Sequence, residues 1–249
     1  DSVPDLLVGA YADDDGGYDS GAVYILFLKT DGDVQSVQKI SNHYGHMPYS
    51  IGSSEYFGWS SDSIGDLDGD GVVDVAVGAY ADDDAGTDRG AVYILFLTTD
   101  GLTKSAQKIS SYYGGLSSFF TLTNYDYFGS GCSSLRDVDS DGVLDLAVTA
   151  YADDDGGSDS GAVFVLFLTT DGLVKTGQKI SNLYGGLPYT LDSSENFGYS
   201  PTIGSGDLDG DGVTDIAVGA YHDNDAGYYS GAVYILFLNT GGGVKSAQK

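Results

Sequence analysis

The chain has 249 residues, 37 of them acidic against 10 basic, for a formal charge of −27. A field of that sign repels nucleic acid phosphates and anionic bilayers, so neither is an expected partner. Cys132 is the single cysteine, which excludes an intrachain disulfide, and no apolar run approaches membrane-spanning length.

The predicted elements recur along the chain. Ala10, Ala79, Ala150 and Ala220 each precede a tyrosine and lie 69, 71 and 70 residues apart. A period this long holds several strands. In chain order, residues 1–37 form a partial repeat, repeats follow at 38–106, 107–177 and 178–247, and 248–249 opens another. Asp1 and Asp5 align with Asp70 and Asp74, so the chain is expected to begin inside an acidic loop.

Four strands are predicted in the repeat 38–106. The first starts at Phe57-Gly58, the second is Asp74–Tyr80, the third Ala91–Leu97 and the fourth about Thr103–Ser110. No stretch has amphipathic helical periodicity, and glycine is too frequent for one. The third strand and its equivalents, Ala22–Leu28, Ala162–Leu168 and Ala232–Leu238, are apolar without alternation. Such a strand is covered on both faces, and without helices the cover must be other sheets. Four-stranded antiparallel sheets packed against copies of themselves are the logic of a β-propeller. The second strand mixes Val with Ala and Gly, which suits a place near a crowded central axis.

Between the first and second strands lies D-x-D-x-D-G-x-x-D, three times in register: Asp66, Asp68, Asp70 and Asp74; Asp137, Asp139, Asp141 and Asp145; Asp207, Asp209, Asp211 and Asp215. A hard divalent cation needs converging oxygens. These carboxylates, with the carbonyls of Val72, Val143 and Val213, supply them, and the glycine at position 6 permits the turn. An EF-hand would place Glu at position 12 between helices, whereas here Val77, Val148 and Val218 stand in a strand. The loop therefore joins two strands, and Ca²⁺ is the expected ion. Binding should brace rather than switch, with affinity of roughly 0.1–1 mM, as suits extracellular calcium.

These residues resemble the FG-GAP repeats of integrin α-subunit propellers and of bacterial secreted proteins. The FG element reads Phe57-Gly58, Phe128-Gly129 and Phe197-Gly198; the GAP element reads Gly9-Ala-Tyr11, Gly78-Ala-Tyr80, Thr149-Ala-Tyr151 and Gly219-Ala-Tyr221. The chain departs from the pattern where Tyr replaces Pro, Thr149 replaces Gly, and Arg136 stands where other copies have Gly65 and Gly206. A cation at Arg136 would compete with metal beside Asp137. The resemblance implies an all-β fold: about three and a half propeller-type blades of a larger ring or array, with about seven blades in a complete ring.

Other residues are candidates for contact. A second acidic cluster follows the second strand: Asp13-Asp-Asp15, Asp82-Asp-Asp84, Asp153-Asp-Asp155 and Asp223-Asn-Asp225. It lies at the opposite blade end from the metal loop and could hold cations or face a partner, but Asp and Gly dominate turns, and a solvated turn is the favoured reading. Tyr44, Tyr113 and Tyr184 each precede Gly between blades and could touch sugars or protein, while most other tyrosines should pack. His43, His46 and His222 do not recur in register, and no nucleophile–base arrangement stands out.

The leading expectation is a non-enzymatic, extracellular or cell-surface, calcium-binding adhesion or assembly module, part of a larger surface protein or fibrillar assembly, whose partners are proteins or further copies of itself. The alternatives are a lectin-like glycan-binding propeller and an accessory domain of a secreted hydrolase. The strands Ala22–Leu28 and Ala232–Leu238 belong to end blades and should lack cover on one side, so the isolated chain is not expected to be a free monomer.

Overall fold

A computed structural model describes residues 3–199 and 203–249. The expectation for Asp1 lies outside the described residues. The first sheet contains β1 (Leu6–Ala10), β2 (Ala22–Leu28) and β3 (Val34–Ile40). Three four-stranded antiparallel sheets follow. They are β4 (Ser60–Gly65), β5 (Asp74–Ala79), β6 (Ala91–Leu97) and β7 (Thr103–Ile109); β8 (Phe128–Arg136), β9 (Asp145–Ala150), β10 (Ala162–Leu168) and β11 (Val174–Ile180); and β12 (Ile203–Gly206), β13 (Asp215–Ala220), β14 (Ala232–Leu238) and β15 (Val244–Gln248). The helical structure among the described residues is one 3₁₀ turn, Leu116–Ser118, in a linker two residues longer than its counterparts.

The fold is all-β, built of propeller-type blades, as the strand patterns require. The continuous apolar third strands β6 and β10 are buried at every position, sandwiched between neighbouring blades. Their aromatic residues Tyr93 and Phe164 are fully buried, and Tyr234 of β14 likewise. The outer blades show the asymmetry expected of ends. Leu6 and Val8 are 51% and 41% exposed, and Val233 is 57% exposed, whereas the equivalents Val75, Val77, Val92 and Val163 are buried.

In the three four-stranded blades the first strand takes the axial place, each packing on the first strand of the next blade. The smaller residues of the second strand had suggested that strand instead. Yet β4 packs on β8, and β8 on β12. Across this seam Ser60 donates to the Gly129 carbonyl at 2.9 Å, and the Asp62 carboxylate accepts from Ser133 and the Ser134 amide at 3.0 and 2.9 Å. The Ala and Gly of the second strand serve a different approach: a Cβ on Gly78 would sit 2.0 Å from the Gly129 carbonyl oxygen. The FG dipeptide of one blade thus docks directly on the GA dipeptide of the blade before it. Cys132 is enclosed at this seam, its thiol beside the Ser60 hydroxyl at 3.4 Å and pushed up to about 12 by burial, which suits an inert core residue.

Tyrosines flanking these dipeptides form a ladder across the blades. Tyr11 meets Trp59 (4.8 Å between centroids), Trp59 meets Tyr80 (4.8 Å), Tyr80 meets Tyr127 (5.5 Å), Tyr127 stacks on Tyr151 (5.1 Å), and Tyr151 reaches Tyr199 (4.9 Å) and then Tyr221. The tyrosine that replaces Pro in each GAP element is therefore packing material, as expected for most tyrosines. His222 continues the stack between Tyr221 and Tyr229.

Candidate metal centres

All three complete acidic loops lie at the same end of their blades, between first and second strands. In each, the first aspartate folds the loop around itself. Asp66 accepts from the amides of Gly69, Asp70 and Gly71 at 2.8–3.0 Å, Asp207 from those of Gly210, Asp211 and Gly212 at 2.7–3.0 Å, and Asp137 from those of Asp141 and Gly142 at 3.0 and 2.9 Å. The glycine amide at position 6 is one of these donors, and Gly71, Gly142 and Gly212 all have positive φ. The third aspartate, Asp70, Asp141 or Asp211, accepts the amide of Val72, Val143 or Val213 at 2.8–2.9 Å.

The fourth aspartate is a staple as well as a candidate ligand. Asp74 takes the Leu67 amide on one oxygen and the Leu97 amide on the other, both at 3.0 Å, tying the loop to the end of the third strand. Asp145 and Asp215 repeat this with Val138, Leu168, Leu208 and Leu238, and Asp5 keeps the strand bond with Leu28. Burial raises the Asp145 carboxyl to about 7 and shifts Asp74 in the same direction.

Oxygens from three carboxylates approach within 4.8 Å of one another in every loop: Asp66, Asp68 and Asp70; Asp137, Asp139 and Asp145; Asp207, Asp209 and Asp215. The predicted ligands thus converge, but not identically: Asp74 falls outside the first set, and Asp141 and Asp211 outside the others. An all-oxygen, carboxylate-rich donor set suits a hard cation such as Ca²⁺. A cation also stands in for one: Lys104 pairs with Asp68 (2.6 Å) and Asp70, Lys175 with Asp139 (2.8 Å) and Asp141, and Lys245 with Asp209 (2.7 Å) and Asp211. Arg136 was the expected competitor in the middle loop, but the cation that reaches it is Lys175. Arg136 instead holds a positive φ of 60° where Gly65 and Gly206 have 85° and 89°.

A family model, FG-GAP repeat, matches residues 57–95, 128–166 and 197–236, each running from the FG dipeptide through the acidic loop into the third strand. The chain carries three FG-GAP repeats. It is similar to integrin alpha-11 of Homo sapiens (34% identity over 187 residues, 74% of this chain and 14% of the relative). It is also similar to integrin alpha-PS2 of Drosophila melanogaster (37% over 160 residues, 62% and 11%) and human integrin alpha-IIb (34% over 183 residues, 71% and 16%). The chain therefore spans 11–16% of the length of these relatives.

At the other end of the FG-GAP blades, the second acidic clusters are not solvated turns. The first aspartate is buried in three of the four clusters: Asp82, Asp153 and Asp223 are 0%, 2% and 3% exposed. Lysines from the fourth strand neutralise them. Lys108 lies 2.6 Å from Asp82 and 2.7 Å from Asp84; Lys179 lies 2.6 and 2.5 Å from Asp153 and Asp155; Lys39 and Lys249 pair with Asp13, Asp15, Asp223 and Asp225. Burial alone would pull the Lys108 ammonium down, but the two carboxylates outweigh it and hold it above its ordinary value. The Tyr93 hydroxyl donates to Asp82 at 3.1 Å.

A further acid joins each of the last three clusters, two residues before the FG phenylalanine: Glu55, Asp126 and Glu195. Burial, reinforced by Asp82, pushes the Glu55 carboxyl up to about 7, and one of its oxygens is buried without a hydrogen-bond partner. Burial pushes Asp126 up to about 6, although Thr123 donates to it twice at 2.7 Å. An acid recurring at this spacing before each FG was the sequence signal available for these residues.

The linker tyrosines divide. Tyr44 and Tyr113 cover Lys39 and Lys108, and Tyr113 also meets Tyr49. Tyr184 instead borders a cleft of about 400 Å³ with Phe119, Phe120, Asp155, Gly177, Gln178 and Lys179. The longer second linker places Phe120 at the site of Tyr49, packed on Phe164.

Proposed function

We propose that this chain is a calcium-braced, extracellular or cell-surface module for adhesion through protein contacts. The observation that supports it is the threefold convergence of acidic loops at one end of successive FG-GAP blades. Ca²⁺ would be held by Asp66, Asp68 and Asp70 and their equivalents, with the fourth aspartates and the carbonyls of Val72, Val143 and Val213 completing the shells. Each ion would tie loop to sheet through the staple aspartate, stiffening a hairpin that has no second arrangement to switch to. Millimolar calcium, the concentration such loops suit, is extracellular. The conspicuous carboxylates belong to repeated loops or lysine pairs, which favours binding over catalysis.

Calorimetric titration with calcium after chelation tests this reading. Saturable binding near three ions per chain, with a rise in melting temperature, is the expected result; heat-silent titration with no thermal shift would sink it. The lectin-like reading is favoured by the cleft beside Tyr184, where two Phe rings, a carboxylate and an amide meet. A neutral-glycan array with Tyr184→Ala and Phe119→Ala variants would detect it, and Tyr113→Ala serves as the control at the equivalent position of the preceding blade.

A further inference from the structure

In each acidic loop, backbone amides take both oxygens of the first aspartate and one oxygen of the third. The oxygens left facing outward are Oδ2 of Asp68 and Asp70, of Asp139 and Asp141, and of Asp209 and Asp211. In all three loops they accept from the lysine ammonium.

A backbone device aims the lysine. In β7, Phe96 pairs with Ser105 and Leu97 with Thr103, so Lys104 is the extra residue of a β-bulge. Lys175 and Lys245 occupy the same bulge in β11 and β15. Bulges re-aim side chains, and this one turns each lysine towards the loop of its own blade. The first blade has the same bulge with Gln35 in that place. The lysine side chains remain 29–35% exposed, on the outermost strand, so each can leave the loop for water.

We propose that Lys104, Lys175 and Lys245 are built-in competitors for the metal, and that calcium enters each loop by exchange with the lysine ammonium. This rests on the calcium reading of the loops. The ion would draw on the same acidic loop, and two cations on neighbouring carboxylates repel at short range. The empty loop keeps its shape because the ammonium offsets part of its charge. A monovalent ion gains little by displacing a tethered ammonium of equal charge, whereas a divalent one gains a second charge. The lysines thus discriminate against sodium and potassium and set calcium affinity weaker than the bare carboxylates would.

The test compares wild type with the triple variant Lys104→Met, Lys175→Met and Lys245→Met, titrated with calcium chloride at fixed ionic strength after chelation. A Lys→Arg triple variant retains the charge. The Met variant is expected to bind at least about threefold more tightly per loop, and to melt at lower temperature than wild type when calcium-free. The Arg variant should stay near wild type. Binding by the Met variant alone would show that the ammonium shuts calcium out, and would overturn exchange. If wild type binds calcium and the Met variant binds no more tightly, exchange is wrong and the calcium reading stands. If neither protein binds calcium up to about 10 mM, both fall.

Discussion

The fourth strand of a blade carries two lysines four residues apart, and the two ends of the blade use them differently. Lys104 bridges two aspartates at the loop end with 35% of its side chain exposed; Lys108 bridges two aspartates at the opposite end with 7% exposed. The partners are alike in number and type. The surroundings are not: Lys108 lies over Tyr93, with Tyr113 above it and Asp82 fully buried. Solvent access therefore separates a replaceable cation from a permanent one. An exposed pair is screened and weak, whereas a buried charge stripped of its partner has nothing to solvate it.

The sharpest way to break the comparison is to remove each lysine in turn. Lys108→Met should destabilise the fold by about 3–5 kcal/mol, because Asp82 is left buried and unpaired. Lys104→Met should cost far less in calcium-free protein. Urea melts of both variants decide it, and equal losses would show that burial is not what distinguishes the two ends.

Calcium should act on one end alone. At tenfold excess over its dissociation constant, each filled loop should add about 1.4 kcal/mol of stability. Hydrogen exchange should slow at Leu67, Gly69 and Asp70 and their equivalents, and stay unchanged at the Asp82 and Asp153 clusters. Slowing at both ends would mean that the second clusters also take the ion.

The pH response should come from the buried end. The Glu55 carboxyl rises from an ordinary 4.5 to about 7, chiefly through burial. A group raised in the fold stabilises below its unfolded value, and that stability is lost as pH climbs through the folded one. The calcium-free protein should therefore lose stability between pH 4.5 and about 7 through this group. Glu55→Gln should flatten that slope, which denaturant melts across the range would read. The smallest effect is expected at Arg136, where replacing a side chain held at positive φ by Gly should stabilise the middle blade by about 1 kcal/mol, measured as a shift in melting temperature.

Much of the site was legible in the chain because its parts are local. The acidic loop spans nine residues, its glycine answers a local turn, and the strands flanking it follow from short apolar runs. The lysines were not legible, since Lys104 lies 34 and 36 residues from its aspartates and a bulge decides where it points. Glu55 stands 27 residues before Asp82 in sequence, and chain folding alone brings it to that cluster.

The sequence by itself determined the repeat, the four-stranded blade, the doubly covered third strand and the acidic loops, because each depends on a pattern shorter than one blade. Tertiary structure alone decided which strand lines the axis, which aspartates are buried, and which lysines can leave. Side-chain size pointed to the second strand at the axis, but the close approach of Gly78 to Gly129 gave its small residues another purpose. Asp82 and Asp68 both stand in Asp- and Gly-rich loops, and the sequence does not say which of them is buried. What distinguishes them is the aromatic cover over one end of the blade and the water over the other, and that difference arises when blades and linkers pack.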